Sequence, residues 1–119
     1  MNIVVVGGGS GGTLSANLLG IHLSSEIHSG QVSIHLISGS QQHVFQPGYL
    51  HVAFKGHDPR GLVHDERSLV NRNVQLVEEA AERIDLKTQT VTVASGKQLA
   101  YDYLIIATGS VADPKIMPG

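Results

Sequence analysis

The 119-residue chain contains no cysteine and no tryptophan, and only 4% of its residues are aromatic. Without cysteine, these residues can form no disulfide, no thiolate metal site and no dithiol redox centre. Charged residues make up only 15% of the chain and give a net charge of −2, with the eight basic residues scattered rather than clustered. This charge distribution disfavours a nucleic-acid partner.

Long apolar runs are also missing from the N-terminus. The run Ile3–Val6 is far shorter than the about 20 residues that span a bilayer, and it lacks the features of a signal peptide. The seven histidines include no pair three or four residues apart, so no metal site is predicted. A hydrophobic content of 41% suffices for one core. We therefore predict a single, soluble, cytoplasmic domain.

The first third of the chain has the pattern of a βαβ unit. The β-branched run Ile3–Val6 predicts a strand that is buried on both faces, and residues 32–37 predict a second one. Between them, the apolar spacing predicts a helix from Thr13 to about Glu26 that packs on the sheet. Its buried stripe is expected to contain Leu14, Leu18, Leu19, Ile21 and Leu23.

The remaining residues predict a loop, a short helix and further strands. Residues 39–61 predict a long functional loop with one helical turn, and residues 62–70 predict a helix that buries Leu62, Val63, Leu69 and Val70. Residues 74–77 and 103–107 predict strands, while residues 90–93 and 98–101 alternate as in an antiparallel hairpin or small meander. The predicted fold class is α/β, a Rossmann-like βαβ unit with a parallel sheet and a small antiparallel β-meander.

Six positions after the first strand hold five glycines and one serine. Gly7, Gly9 and Gly12 satisfy G-x-G-x-x-G between a predicted strand and a predicted helix, as in dinucleotide-binding folds. Gly7 permits the tight turn, Gly9 lets the backbone approach a pyrophosphate, and Gly12 lets helix and sheet pack closely. With Ser10 and Gly11, they predict a cradle in which backbone amides at the helix N-terminus bind a pyrophosphate. The alternative is a glycine-rich turn without a ligand.

The second strand ends in Ser38, where a dinucleotide-binding fold usually has an acidic residue that binds the adenosine ribose. The Ser38 hydroxyl can still hydrogen-bond a ribose hydroxyl. No basic residue stands beside it to bind a 2′-phosphate, which disfavours NADP. The alternative is that Ser38 only starts a turn.

The segment Tyr101–Ser110 resembles the second flavin motif of the pyridine nucleotide-disulfide oxidoreductase superfamily. The resemblance implies that Ala107, Thr108 and Gly109 lie beside FAD, and Ile116–Gly119 is similar to the Pro-Gly that often ends this half of the FAD domain. Phe45–Gly56 is similar to a loop of sulfide:quinone oxidoreductases and flavocytochrome c sulfide dehydrogenases, which implies that Pro47 contacts the isoalloxazine. Residues 77–85 match the strand that meets the adenine, which implies a contact at Ala81.

The resemblance covers essentially the whole chain and implies the FAD-binding part of an enzyme that oxidises sulfide and reduces quinone. The catalytic cysteines of that family have no counterpart here, so no catalytic residue is assigned. We expect residues 1–119 to be the N-terminal part of a FAD/NAD(P)-binding domain from a longer, cytoplasmic or peripheral membrane enzyme. Alone, they should not turn over sulfide, should retain FAD weakly or not at all, and should self-associate through an exposed sheet edge.

Two other functions remain open at this point. One is an NADH:quinone dehydrogenase, or another FAD-dependent member of the superfamily, which would carry a second G-x-G-x-x-G downstream. The other is a freestanding, non-enzymatic nucleotide-binding module.

Overall fold

The structure, a computed structural model, describes residues 1–110. The resemblance at residues 116–119 lies outside the described residues. In chain order the strands and helices are β1 (Asn2–Val6), α1 (Ser10–His22), α2 (Ser24–His28), β2 (Ser33–Ile37), β3 (Gln42–Val44), α3 (Tyr49–Lys55), β4 (Val63–Asp65), α4 (Glu66–Leu69), β5 (Gln75–Val77), β6 (Ala81–Asp85), β7 (Thr90–Val93), β8 (Gln98–Ala100) and β9 (Tyr103–Ile106). Short 3-10 helices cover residues 46–48 and 59–62.

A parallel sheet with the strand order β5-β2-β1-β9 forms the centre of the fold. Ile3 of β1 pairs with Ile34 of β2 on one side and with Tyr103 of β9 on the other. Strands β6, β7 and β8 form a separate antiparallel meander, and β3 pairs with β4 in a two-stranded ribbon. The α/β fold class predicted from the sequence is confirmed.

The two faces of the parallel sheet bury two apolar clusters. On one face, Val5 and Leu36 pack with Ala16 of α1. On the other face, Val4 and Ile37 pack against Val91 and Val93 of the meander, among other residues. Because β1 is covered on both sides, residues 3–6 form a continuous apolar run rather than an alternating pattern. The glycine loop follows directly from this rigid centre.

The prediction for the first helix is wrong in its buried face and in its end. The apolar residues Leu14, Leu18 and Ile21 are exposed, whereas the buried positions of α1 are Gly12, Thr13, Ala16 and Gly20. Leu19 and Leu23 are half-buried against the cluster, as expected. Small side chains let the helix backbone lie close to the sheet, and a Cβ at Gly20 would already be 3.0 Å from Val74 Cγ2. The helix ends at His22, and α2 continues the path from Ser24.

The middle segment is more structured than the predicted loop, and the predicted helix over residues 62–70 is largely absent. Residues 63–65 form β4, and only Glu66–Leu69 is helical. Val63 and Leu69, which the prediction placed on the buried side of that helix, are exposed. Instead, Asp65 caps α4, its side chain accepting a hydrogen bond from the Arg67 amide at 3.2 Å. The pairing of β4 with β3 overrides the helical spacing of the apolar residues, because β3 offers a hydrogen-bonding partner at the strand edge.

Candidate functional site

The site lies where β1, β2 and β9 end. Two hydrogen bonds continue the sheet beyond its strands: the Gly7 amide donates to the Ile37 carbonyl at 2.9 Å, and the Ala107 amide donates to the Val6 carbonyl at 2.8 Å. Gly7 has a φ of +115°, and a Cβ there would overlap the Ala107 carbonyl. The turn after β1 therefore requires glycine at this position.

The N-terminus of α1 presents unpaired polar groups. Gly9 is the N-cap, without a side-chain cap. The amides of Gly9, Ser10 and Gly11 donate no hydrogen bond to another residue of the part that the structure describes. The Ser10 hydroxyl is buried and, within that same part, also lacks a partner. Free amides at the positive end of a 13-residue helix are suited to an anion.

A cavity of about 770 Å³ opens beside these amides. Its described lining contains no charged side chain, so attraction of an anion depends on the backbone and the helix dipole. The polar part of the lining comes mainly from Ser10, Ser38, Ser40, Gln42, Gln46, Thr108 and Ser110. Its size lies in the range of sites for small molecules and cofactors.

Most of the site residues predicted from the sequence line this one cavity. The lining includes Gly7, Gly9, Ser10, Gly11, Ser38, Ala81, Ala107, Thr108 and Gly109. Segments that are about 100 residues apart in the sequence thus meet at one place. Whether each residue contacts a ligand stays a prediction.

Two predicted site residues do not line the cavity. Gly12 is buried in α1, and a Cβ there would overlap the Gly7 carbonyl, so its part is close packing of helix against loop. Pro47 is exposed in the first turn of the short 3-10 helix at residues 46–48, and its neighbour Gln46 reaches the cavity instead. The predicted contact between Pro47 and a flavin stays a prediction.

Ser38 lies in the cavity wall, but its side chain is only 2% exposed. Its hydroxyl donates to the Ser40 carbonyl at 2.8 Å, as expected if the residue starts a turn. A Cβ at Gly8 would overlap the Ser38 hydroxyl, so the two positions must both stay small. The ribose contact of Ser38 therefore stays a prediction, and it would require sharing or exchanging the hydrogen bond to Ser40.

A buried polar cluster behind the glycine loop was not found from the sequence. Glu66 is fully buried; its Oε1 accepts the Thr13 hydroxyl at 2.6 Å, and its Oε2 lies 2.9 Å from Nδ1 of His43. The same Nδ1 is 3.0 Å from the Gly8 carbonyl. Sequence spacing gave no signal, since the three side chains come from α1, β3 and α4.

Within residues 1–110, no helix is long and apolar enough to cross a membrane. The same described part of the chain contains no group of three or more histidine, aspartate or glutamate side chains arranged to hold a metal ion.

The whole chain, residues 1–119, matches the family model "Pyridine nucleotide-disulphide oxidoreductase". Among curated proteins, it is 35% identical to a sulfide-quinone reductase of Aquifex aeolicus, over 99% of this chain and 25% of that protein. It is 25% identical to the mitochondrial sulfide:quinone oxidoreductase of Mus musculus, over 98% of this chain and 25% of that protein. The chain therefore spans about a quarter of the length of these relatives.

Solved structures of related oxidoreductases are also similar to the chain. The sulfide:quinone oxidoreductase from Aquifex aeolicus superposes with a TM-score of 0.72 at 33% identity, over 91% of this chain and 24% of that one. A NAD-dependent persulfide reductase from A. fulgidus has a TM-score of 0.58 at 31% identity, over 92% of this chain and 21% of that one. The structures and sequences to which the chain is similar thus agree with the resemblance described from its motifs.

Proposed function

Because the chain belongs to the pyridine nucleotide-disulphide oxidoreductase family, we propose that residues 1–119 form the N-terminal part of the FAD-binding domain of a sulfide:quinone type flavoenzyme. One observation supports this proposal most directly: the glycine loop, the end of β2 and the Ala107–Gly109 segment all line the same cavity. The similar sulfide-quinone reductase of Aquifex aeolicus and sulfide:quinone oxidoreductase of Mus musculus support the assignment to sulfide oxidation with quinone as the acceptor.

The residues at the cavity fit FAD. The amides of residues 9–11, which have no partner within residues 1–110, would bind the diphosphate. Ser38 would approach the ribose, Ala81 the adenine, and the Ala107–Gly109 segment the flavin end. The bound flavin would supply the capacity to accept two electrons, while these residues bind and orient it.

The nature of the anchoring groups sets the expected affinity. With no charged side chain in the described lining, binding depends on neutral donors, and hydrogen bonds between neutral groups are weaker than charge-assisted ones. We therefore expect weak flavin retention. The 119 residues contain no cysteine, so a thiol that attacks sulfide would have to come from elsewhere in the enzyme. A quinone partitions into lipid, which suggests that the whole enzyme is peripheral to a membrane.

A titration with FAD, followed by two-dimensional amide NMR of the 119-residue chain, tests the proposal because this method detects weak binding. We expect saturable shifts at residues 7–11 and 107–109, and smaller or no shifts with NAD⁺. Saturable shifts with NAD⁺ alone would support the nicotinamide alternative, and no shift with either would contradict nucleotide binding.

The variant Gly9→Ala makes the test specific. A Cβ at Gly9 meets no protein atom within 4 Å, so the fold should be unaffected while a methyl group enters the space beside the amides. We expect the Kd for FAD to rise about tenfold. Gly61→Ala is the matched control, since a Cβ there is equally free and Gly61 does not line the cavity.

A further inference from the structure

The buried cluster of Thr13, His43 and Glu66 has no part in the function proposed above, although it touches the glycine loop. His43 is 5% exposed and Glu66 is fully buried. Buried polar side chains that hydrogen-bond each other add little net stability compared with apolar side chains of similar size, because desolvation offsets the hydrogen bonds. Stability alone therefore gives no reason for this pair, and its contacts with the loop become the relevant observation.

The two contacts of His43 Nδ1 define where its proton lies. A carbonyl oxygen can only accept, so Nδ1 must carry a hydrogen to bond the Gly8 carbonyl at 3.0 Å. The same hydrogen is shared with Glu66 Oε2 at 2.9 Å. Glu66 thereby holds the imidazole in the tautomer that donates to Gly8.

The Gly8 carbonyl in turn determines the direction of the next amide. The chain has no cis peptide bond among the described residues, so the Gly8 carbonyl and the Gly9 N–H point in opposite directions. The carbonyl points to the buried His43, which does not line the cavity, whereas Gly8 and Gly9 do. The Gly9 amide is therefore directed away from His43, toward the open side.

Glu66 also acts on the helix side of the loop. Its Oε1 accepts the Thr13 hydroxyl at 2.6 Å, and the Thr13 amide donates to the Gly9 carbonyl at 2.9 Å. One carboxylate thus connects, through His43 and Thr13, to the carbonyls on both sides of the Gly9 amide.

We propose that His43 and Glu66 are positioning residues that orient the Gly8–Gly9 peptide so that its amide can bind the diphosphate. This inference rests on the proposed nucleotide-binding function. In this proposal, one side chain on β3 and one on α4 align the glycine loop, in addition to the glycines themselves.

The test compares three variants for FAD affinity and for the amide NMR signals of the ligand-free protein. His43→Leu together with Glu66→Leu replaces the pair by apolar side chains and removes the hydrogen bond to the Gly8 carbonyl. His43→Asn is the rescue variant, because its side-chain amide can replace the Nδ1 donor. His64→Leu is the matched control, since His64 is exposed on β4 directly opposite His43.

We expect the double variant to raise the Kd for FAD about tenfold or more and to shift the Gly8 and Gly9 amide signals before any ligand is added. His43→Asn should return the Kd to within about threefold of the wild type, and His64→Leu should leave both readouts unchanged. A cooperative thermal transition in each variant confirms that the chain is folded.

Wild-type affinity in the folded double variant would overturn the proposal. If the wild-type chain itself does not bind FAD, the proposed function fails, and the ligand-free spectra then decide the positioning role separately. Unchanged Gly8 and Gly9 signals in the folded double variant would overturn the positioning role.

Discussion

At the scale of the residue, neighbouring glycines of the loop have different physical requirements. A Cβ at Gly12 would overlap the Gly7 carbonyl, whereas a Cβ at Gly11 meets nothing within 4 Å. The G-x-G-x-x-G motif predicts a turn at Gly7, approach of a ligand at Gly9 and close packing at Gly12. The surrounding atoms agree with this prediction for Gly7 and Gly12.

We predict that Gly12→Ala lowers the free energy of unfolding by about 3 kcal/mol or more, because backbone atoms must move to admit the methyl group. Gly11→Ala, one position earlier in the same helix, should stay within about 1 kcal/mol of the wild type. Urea unfolding followed by circular dichroism measures both. Equal stabilities for the two variants would contradict the packing role of Gly12.

A second prediction concerns the half-buried His35 on β2. Burial, and then the positive charge of Lys97, lower the pKa of His35 below its ordinary value of 6.5, with Gln75 acting in the opposite direction. The unfolded chain therefore binds a proton more readily than the folded one. The contribution of His35 to stability is complete above pH 6.5 and is lost as the pH falls from there through the folded-state pKa.

Unfolding free energies measured from pH 8 down to pH 5 check this sign. His35→Gln should flatten the decline below pH 6.5, because the neutral side chain cannot be protonated. A decline in His35→Gln as steep as the wild type's would show that another group dominates.

At the scale of the element, the strands of the parallel sheet and of the meander were easier to predict than the helices, whereas β3 and β4 were missed. The β-branched run of β1 leaves few alternatives to a buried strand, and its length matched to within one residue. Helix α1 was located, but its orientation was wrong because periodicity assigns the large apolar residues to the core. Here Ala16 and Gly20 face the sheet, and the requirement for a close approach of the backbone is invisible in the sequence.

With this orientation of α1, we expect one substitution to destabilise the fold and another to have almost no effect. Ala16 is fully buried, so Ala16→Leu should destabilise the fold by about 1–3 kcal/mol through overpacking. Leu18 is 46% exposed, so Leu18→Gln should change the stability by about 0.5 kcal/mol or less. Thermal unfolding of the two variants decides between this orientation and the one expected from the apolar stripe.

The candidate site also has one part that the sequence predicts and another part that it does not. The glycine loop could be predicted from its spacing, and the Ala107–Gly109 segment from its resemblance to a flavin motif. The cluster of His43 and Glu66 could not, since it forms only when β3 and α4 fold over the loop. In the sequence, Glu66 resembles any charged residue of a surface helix.

At the scale of the whole molecule, β9 forms one edge of the parallel sheet within residues 1–110. Tyr103 and Ile106 on this strand are 61% and 59% exposed. An open edge with exposed apolar side chains can pair with another chain. We therefore predict that the 119-residue chain self-associates at high concentration.

Sedimentation velocity over a range of concentrations measures this association. Ile106→Lys should weaken it, because a charge on an edge strand opposes pairing. Leu86→Lys is the control, since Leu86 is 75% exposed but lies in the turn between β6 and β7. A chain that remains monomeric at all concentrations, or an equal effect of both substitutions, would contradict the role of β9.

The hydrogen bond from the Gly7 amide to the Ile37 carbonyl has a further consequence for how a ligand is received. It makes the first residue of the loop part of the sheet, so its amide should exchange with solvent as slowly as those of the core strands, whereas the unpaired Gly9 amide should exchange fast. The conformational entropy of Gly7 is therefore lost when the chain folds. Binding of the proposed nucleotide would then begin from a loop whose first residue is already fixed, which lowers the entropic cost of association.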